Sequence, residues 1–377
     1  MSPDYKAEAG GALVRDHAVD LIKGWACLLM VIAHVPIAGA AWLRFDTMGA
    51  VLFFFSTGMN LWGLAARQRG DDLRIAANGL FLIFAGFANN YVQGTLWMSD
   101  VFQSAGMAMI AMLILNRLLP RWWTWLFPLP YAIHFANQHY FYWKIADGGV
   151  SSFFLAPGLF PLLPWLTFYL LGAHLKRYSS PRMRIAIGGA ALAGFALTAW
   201  GDGLAFNKFW MSPDYWLLGL AYGALLLDGL RRWLALTGAA PSAASPRIPL
   251  AELRFWGANS LVFYILQGFV IRLFQIWWPA GVLLLALAFA GTALLLRGGL
   301  WLQHWARAQP PVTVLAVCAL FSATILGLEA SVLTGYLART FISFGLTFAF
   351  LAAYPAFKLL SDRLPRIPPA QKPFPVG

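Results

Sequence analysis

The chain is 377 residues long, 60% hydrophobic and only 11% charged, with a mean hydropathy of +0.65. A soluble domain carries ~25% charged residues, so this composition excludes a water-soluble body and specifies an all-α polytopic transmembrane helix bundle. The formal net charge of +12 does not imply a nucleic-acid partner, because the basic residues sit in short segments between apolar runs and form no continuous patch.

With ~20 residues needed to cross the hydrocarbon, spans are expected near 18–42, 47–66, 74–93, 101–119, 122–137 and 159–175. Six more follow near 185–201, 213–230, 255–277, 279–297, 311–333 and 337–360. Twelve is the expected count; a short fifth run and an ambiguous stretch at 279–307 leave 10–12 as the range. Residues 1–14 and 362–377 read as tails flanking one transmembrane domain over 15–361. Ala38 to Ala41 would suit signal cleavage, but Asp20 and Lys23 interrupt the would-be signal core, so the first run reads as a retained span.

Placing the amino terminus in the cytoplasm puts twenty-one Lys and Arg on that side and only Arg44, Lys144, Lys208 and Arg339 on the other. That asymmetry is the positive-inside pattern. The longest cytoplasmic connection, 231–254, contains Ala-Ala-Pro-Ser-Ala-Ala-Ser-Pro and reads as a flexible linker. On the opposite face the 138–158 loop, with Tyr140, Phe141, Tyr142 and Trp143, is placed to cap a site. Cys27 and Cys318 both lie in apolar runs, so neither a disulfide framework nor a metal site is expected.

Asp20, Lys23 and His34 share one face of the first span: eleven residues from Lys23 to His34 make almost three helical turns, and Asp20 lies one turn before Lys23. Ionisable groups at membrane depth cost ~2.5 kcal/mol or more unless paired or wetted. Two readings stay open. Either an elongated ligand runs ~16 Å along this face from Lys23 to a reactive end at His34, or Asp20 and Lys23 form a structural pair and the histidine is satisfied by a neighbouring helix. Histidine is the side chain best suited to take a proton from a hydroxyl or amine near neutral pH. Asn89 and Asn90 are adjacent amides at the outer end of a span, fit to hold a sugar hydroxyl or to join helices. His134 and His139 flank the outer end of span five, and Arg272 and Glu329 are late intramembrane charges that read as a pair.

The opening Asp20-Leu-Ile-Lys-Gly, with His34 following Lys23 after ten residues, resembles that of the transmembrane acyltransferase superfamily. That group includes the heparan-α-glucosaminide N-acetyltransferase-like proteins and the membrane acyltransferase family of O-antigen acetylases. Val51-Leu-Phe-Phe-Phe-Ser-Thr-Gly58, Phe102-Gln-Ser-Ala-Gly-Met-Ala, Phe160-Pro-Leu-Leu-Pro-Trp-Leu-Thr-Phe-Tyr-Leu-Leu-Gly172 and Phe255-Trp-Gly-Ala-Asn-Ser-Leu-Val-Phe-Tyr-Ile-Leu-Gln267 are similar to further family segments in the same order. Two positions depart: Lys23 stands where Arg is usual, and Gln267 where many relatives place His.

The resemblance implies acetyl-CoA as donor and a glycan or other surface acceptor, with His34 as general base or acyl carrier. Asp20 would orient Lys23, and Lys23, Arg67, Arg69 and Arg74 would bind the CoA phosphates. Asn89, Asn90, Gln267 and His139 would face the acceptor. A bacterial inner membrane is the expected location, with the lipid bilayer and a homodimer as partners and no nucleic acid. The competing class is a proton-coupled transporter using Asp20, Lys23 and His34 as a relay, against which stands the lack of visible repeated halves or broken helices. A third reading is a non-catalytic membrane partner.

Overall fold

The computed structural model describes residues 16–36, 47–67, 72–93, 99–141, 153–155, 160–178, 180–201, 203–237, 248–331 and 336–364, all helix, turn or connection without a strand. The first helices are α1 (His17–His34), α2 (Met48–Arg67), α3 (Asp72–Gln93), α4 (Val101–Leu118), the short α5 (Leu129–Ala136), α6 (Leu162–Arg177), α7 (Pro181–Gly201) and α8 (Pro213–Leu236). Then come α9 (Ile248–Ala258), α10 (Ser260–Gln275), α11 (Val282–Ala308), α12 (Pro311–Ser331) and α13 (Tyr336–Ser361). The architecture is an all-α polytopic bundle.

Local chemistry sets the ends. Asp16 caps α1 by accepting from the Val19 amide at 3.4 Å. Pro36 disfavours helical geometry at Val35, which is extended, so α1 stops at His34 instead of continuing to 42. Asp100 and Gln103 form a reciprocal capping box at the start of α4. Residues 231–236 continue α8 and 248–254 belong to α9, so both ends of the stretch read as a linker are helical; 238–247 lie outside the described residues.

Two expected spans are not straight rods. The fifth consists of a 3-10 turn (Trp123–Leu126), α5 and a π-turn (Asn137–Phe141), interrupted where Pro128 and Pro130 remove backbone donors. It links the carboxyl end of α6, where Trp125 Nε1 donates to Tyr178 Oη at 3.0 Å, to the loop before α8, where His134 and Gln138 donate to the Trp210 carbonyl. The ninth, expected as one helix over 255–277, breaks at Asn259 into α9 and α10, bent by 95°.

Among the described residues, α1, α4, α7, α11 and the Thr340–Ser361 part of α13 are each long and apolar enough to cross a bilayer alone. The bent α9–α10 pair makes a sixth if it counts as one span, and α2 and α12 hold shorter apolar stretches. Helix α6 is buried along nearly all of Leu162–Leu175. By contrast α7, α11 and α12 present Leu197, Trp200, Leu294, Trp301, Val317 and Leu320 outward, as lipid-facing helices do.

Helix α1 is the wall between two packed groups. Ala18, Val19, Ile22, Ala26 and Leu29 join the core shared by α2, α4, α6 and α8. Cys27, Val31 and Val35 join the core formed with α10, α11 and α13. Glycines set the closest approaches. A Cβ on Gly24 would overlap the Leu253 carbonyl of α9, and one on Gly257 would overlap the Asp20 carbonyl of α1. Gly58 and Gly172 relate to the Tyr169 and Phe55 carbonyls in the same reciprocal way between α2 and α6, and Gly106 meets the Gly79 carbonyl between α4 and α3. Such contacts let backbones approach and gain dispersion where lipid supplies no hydrophobic drive.

Gly257→Ala and Gly58→Ala are therefore expected to lower stability by about 1–3 kcal/mol through overpacking. Gly229, with nothing within 4 Å of an added Cβ, is the control. Thermal melting of the purified protein checks this: a Gly257→Ala melting point equal to that of Gly229→Ala would refute the close-packing account.

Candidate functional site

His34 is the last residue of α1 and lies ~25 Å along the axis from its first turn. The ring is exposed, and its Nδ1 is 2.7 Å from the Met30 carbonyl. A carbonyl only accepts, so Nδ1 carries the proton of the neutral ring, and in that form Nε2 has the lone pair a general base requires. Gln267 of α10, buried, brings its amide to 3.5 Å from Nδ1, the limit of a hydrogen bond. With Nδ1 protonated, the complementary atom of that amide is its oxygen.

Polar groups from other helices gather at this end. On α10, Tyr264 lies one turn before Gln267 and its hydroxyl donates to Asp100 Oδ1 at 3.3 Å. Asp100 also receives the Val101 amide at 2.6 Å, while the Asp100 amide donates to Gln103 Oε1 at 2.8 Å. Asn90 Nδ2 reaches the same oxygen at 3.4 Å. A chain of contacts thus runs from α3 through α4 to α10, where Gln267 adjoins His34. The charges of Lys208, from the loop before α8, and of Arg272, on α10, are close enough to act on the His34 ring. Arg272 also acts on Tyr264. Glu329, expected to pair with Arg272, has its side chain outside the described ones.

The loop carrying Lys208 is backbone-strained. Phe206 and Met211 have φ of 42° and 47°, a region that costs non-glycine residues roughly 1–3 kcal/mol each. Asp214 and Ser212 hold it by accepting from the Phe206 and Asn207 amides at 2.6 and 2.8 Å, and Asn207 Oδ1 accepts from Phe209 and Trp210.

The first turn of α1 is a different environment. Asp16 pairs with Lys176 of α6 and with Arg231 of α8 at 3.3 Å, and Arg254 of α9 donates to His17 at 2.7 Å. Lys23 lies near enough to Cys27 to act on its thiol. Other ion pairs among the described residues are Arg117 with Asp72, Arg74 with Asp362 at 3.0 Å, Arg297 with Glu252 at 2.7 Å, and Arg184 and Arg232 with Asp228, the last of these within α8.

Asp20, Lys23 and His34 do share a face, but Cys27 and Val31 occupy that face between Lys23 and His34 and are 1% and 0% exposed against α10 and α11. The expected path for an elongated ligand along it is closed, because α9 and α10 pack there. Lys23 and His34 are two ends and not one pocket. Arg74 is engaged by Asp362; the Arg67 and Asn89 side chains and all of Arg69 lie outside the described residues. Asn90 and Gln267 belong to the polar group near His34. His139 is exposed beside the Phe135 ring at 4.2 Å and has no contact with that group among the described residues.

Sequence reasoning missed Asp100, Tyr264 and Lys208 at one end and Lys176, Arg231 and Arg254 at the other. In the sequence the last three read only as topology determinants. Asp100 had a readable signal, an acidic residue three before Gln at the head of an apolar run.

No protein-family model matches the chain, and no curated protein matches it.

Burial works to raise the Asp16 carboxyl, but Lys176 and Arg231 outweigh it and hold the group below its ordinary range. A depressed carboxyl contributes stability that is full above its unfolded value of ~3.9 and is lost as pH falls through the folded value. Melting followed from pH 7 to pH 3 should show a steeper acid loss for the native chain than for Asp16→Asn, which is less stable at pH 7. Parallel curves would refute the clamp.

Proposed function

We propose that the chain is an integral-membrane acyltransferase that moves an acetyl group from acetyl-CoA to a hydroxyl or amine of a glycan. The observation that carries this is the His34 ring: its Nδ1–H is committed to the Met30 carbonyl and the residue is exposed, so Nε2 is the nitrogen placed to serve as base. A thioester is already activated, and what remains is to deprotonate the acceptor, align it and stabilise an oxyanion. In this reading Nε2 takes the acceptor proton and delivers it to the departing CoA thiolate. Gln267 orients the ring, and Lys208 and Arg272 offset negative charge growing on the thioester oxygen. The five motif segments, in family order, support the same class.

Lys176, Arg231 and Arg254 join Lys23 as candidates for CoA phosphates, being cations gathered at one helix end. The positive-inside pattern puts that end in the cytoplasm and His34 toward the opposite face. Since Cys27 and Val31 fill the face between, a donor held at the basic end reaches His34 only when α9 and α10 move off α1.

One observation favours a second reading. The 95° break between α9 and α10 is a discontinuous helix of the kind transporters place at substrate sites. Inverted repeats require a counterpart in the other half, and no second bent pair of this kind is found among the described residues.

Purified protein with radiolabelled acetyl-CoA is expected to release CoA or acquire label, and His34→Ala to lower the rate by about 10²–10⁴. Lys208→Ala should lower the rate less while leaving the fold intact. Vesicle uptake of a solute without thioester consumption, unaffected by His34→Ala, would overturn the transferase in favour of the transporter.

A further inference from the structure

A cavity of about 270 Å³ lies between α3, α4, α10, α12 and α13, and the chemistry at His34 does not account for it. Its wall is apolar, built mainly from Phe81, Phe84, Phe102, Ile265, Leu346 and Phe350. No charged side chain lines it. Phe84 is 69% exposed, and Phe81, Phe350 and the lining Cys318 fall near the middles of α3, α13 and α12. The opening therefore lies on the flank of the bundle near the middles of these helices, away from both ends, where a bilayer around the bundle would meet it.

Its inner end adjoins the polar group described above. The Phe102 ring stands edge-on to Tyr264 at 5.5 Å, and the Tyr264 hydroxyl donates to Asp100. Ile265 is the next residue on α10, two before Gln267. An apolar chamber open to lipid thus ends against the polar residues that lead to His34.

Resting on the acyltransferase reading, we propose that this cavity holds the hydrocarbon chain of the acceptor, which is a lipid-linked glycan. The sugar lies among Asn90, Asp100, Tyr264 and Gln267, with the reacting hydroxyl at His34. The hydroxyl oxygen bonds to the thioester carbonyl carbon, the carbon–sulfur bond breaks, and the hydroxyl proton passes through Nε2 to the CoA thiolate. The donor is not the occupant. CoA is a water-soluble polyanion, and a sideways opening with no cation on its wall admits a molecule already dissolved in the bilayer. Each buried methylene contributes by leaving water or a less well-packed surround.

The test uses full-length protein in nanodiscs, with methyl and dodecyl glucoside as acceptors and a diazirine-bearing dodecyl glucoside as photolabel. The longer chain is expected to lower KM by about tenfold or more and the label to concentrate on α3, α12 and α13. Ala319→Trp, at an exposed lining position, should abolish both effects and leave methyl glucoside turnover unchanged. Ala85→Trp is the second filling variant, and Ala316→Trp, exposed on α12 outside the lining, should behave as native. Equal KM for both glucosides, with CoA release still dependent on His34, would overturn the cavity assignment and spare the transferase. Equal labelling by a diazirine phosphatidylcholine would also overturn it, marking an ordinary boundary lipid. If no glucoside accepts acetyl yet the glucoside label still concentrates in the cavity and is lost in Ala319→Trp, the transferase fails and a site for a sugar-headed chain stands.

Discussion

The close approach of α1 to α9 through Gly24 and Gly257 is the constraint on which the rest of the structure depends. Each glycine faces a carbonyl of the other helix, so neither backbone can withdraw by the width of a methyl group without losing the contact. This fixes the short arm of the bent pair against the first half of α1. Where α10 runs follows from that arm and the bend at Asn259, and α10 carries Tyr264, Gln267 and Arg272. The placement of His34 against Gln267 is thus a consequence of packing some way along the helix from the imidazole itself.

The same logic recurs between α2 and α6 and between α3 and α4. All five segments that resemble acyltransferase motifs contain a glycine at one of these approaches: Gly24, Gly58, Gly106, Gly172 and Gly257. Much of each motif is therefore a record of how helices meet. The polar side chains lie beside the glycines, in Lys23, Gln103, Ser104 and Gln267. The hydroxyls of Ser104 and Tyr169 are both buried.

The bundle was legible because hydropathy reports spans directly, and most boundaries fall within a few residues of expectation. What escaped was local. Pro36 ends α1 early, so His34 is a terminal residue, although its spacing from Lys23 suggested a mid-helix position. Asn259 and Ser260 break α9 from α10 inside an unbroken apolar run, and hydropathy does not register a bend. The face shared by Asp20, Lys23 and His34 was correctly placed by periodicity. Periodicity says nothing of what covers that face, and Cys27 and Val31 look in sequence like any other lining. Basic residues were counted for topology, a use that hides clusters: Lys176, Arg231 and Arg254 come from three helices and meet only in the fold.

A seal between two chemical ends has a physical consequence for any reaction that needs both. Helix α1 carries an ion-paired, cationic end at Asp16 and an imidazole at His34, and Cys27 and Val31 separate them within a packed core. Packed cores are bistable and do not deform continuously, so the proposed transfer would require α9 and α10 to be displaced from α1 as a unit. The bend between the two arms is braced at Asn259, whose Nδ2 bonds the Phe255 carbonyl at 2.9 Å. In such a movement the glycine contact would act as a latch, since it is made of dispersion between backbones and no hydrogen bond need break for it to open. Holding a thioester on one side and an acceptor on the other until that latch opens would keep the activated acyl group from water at both surfaces.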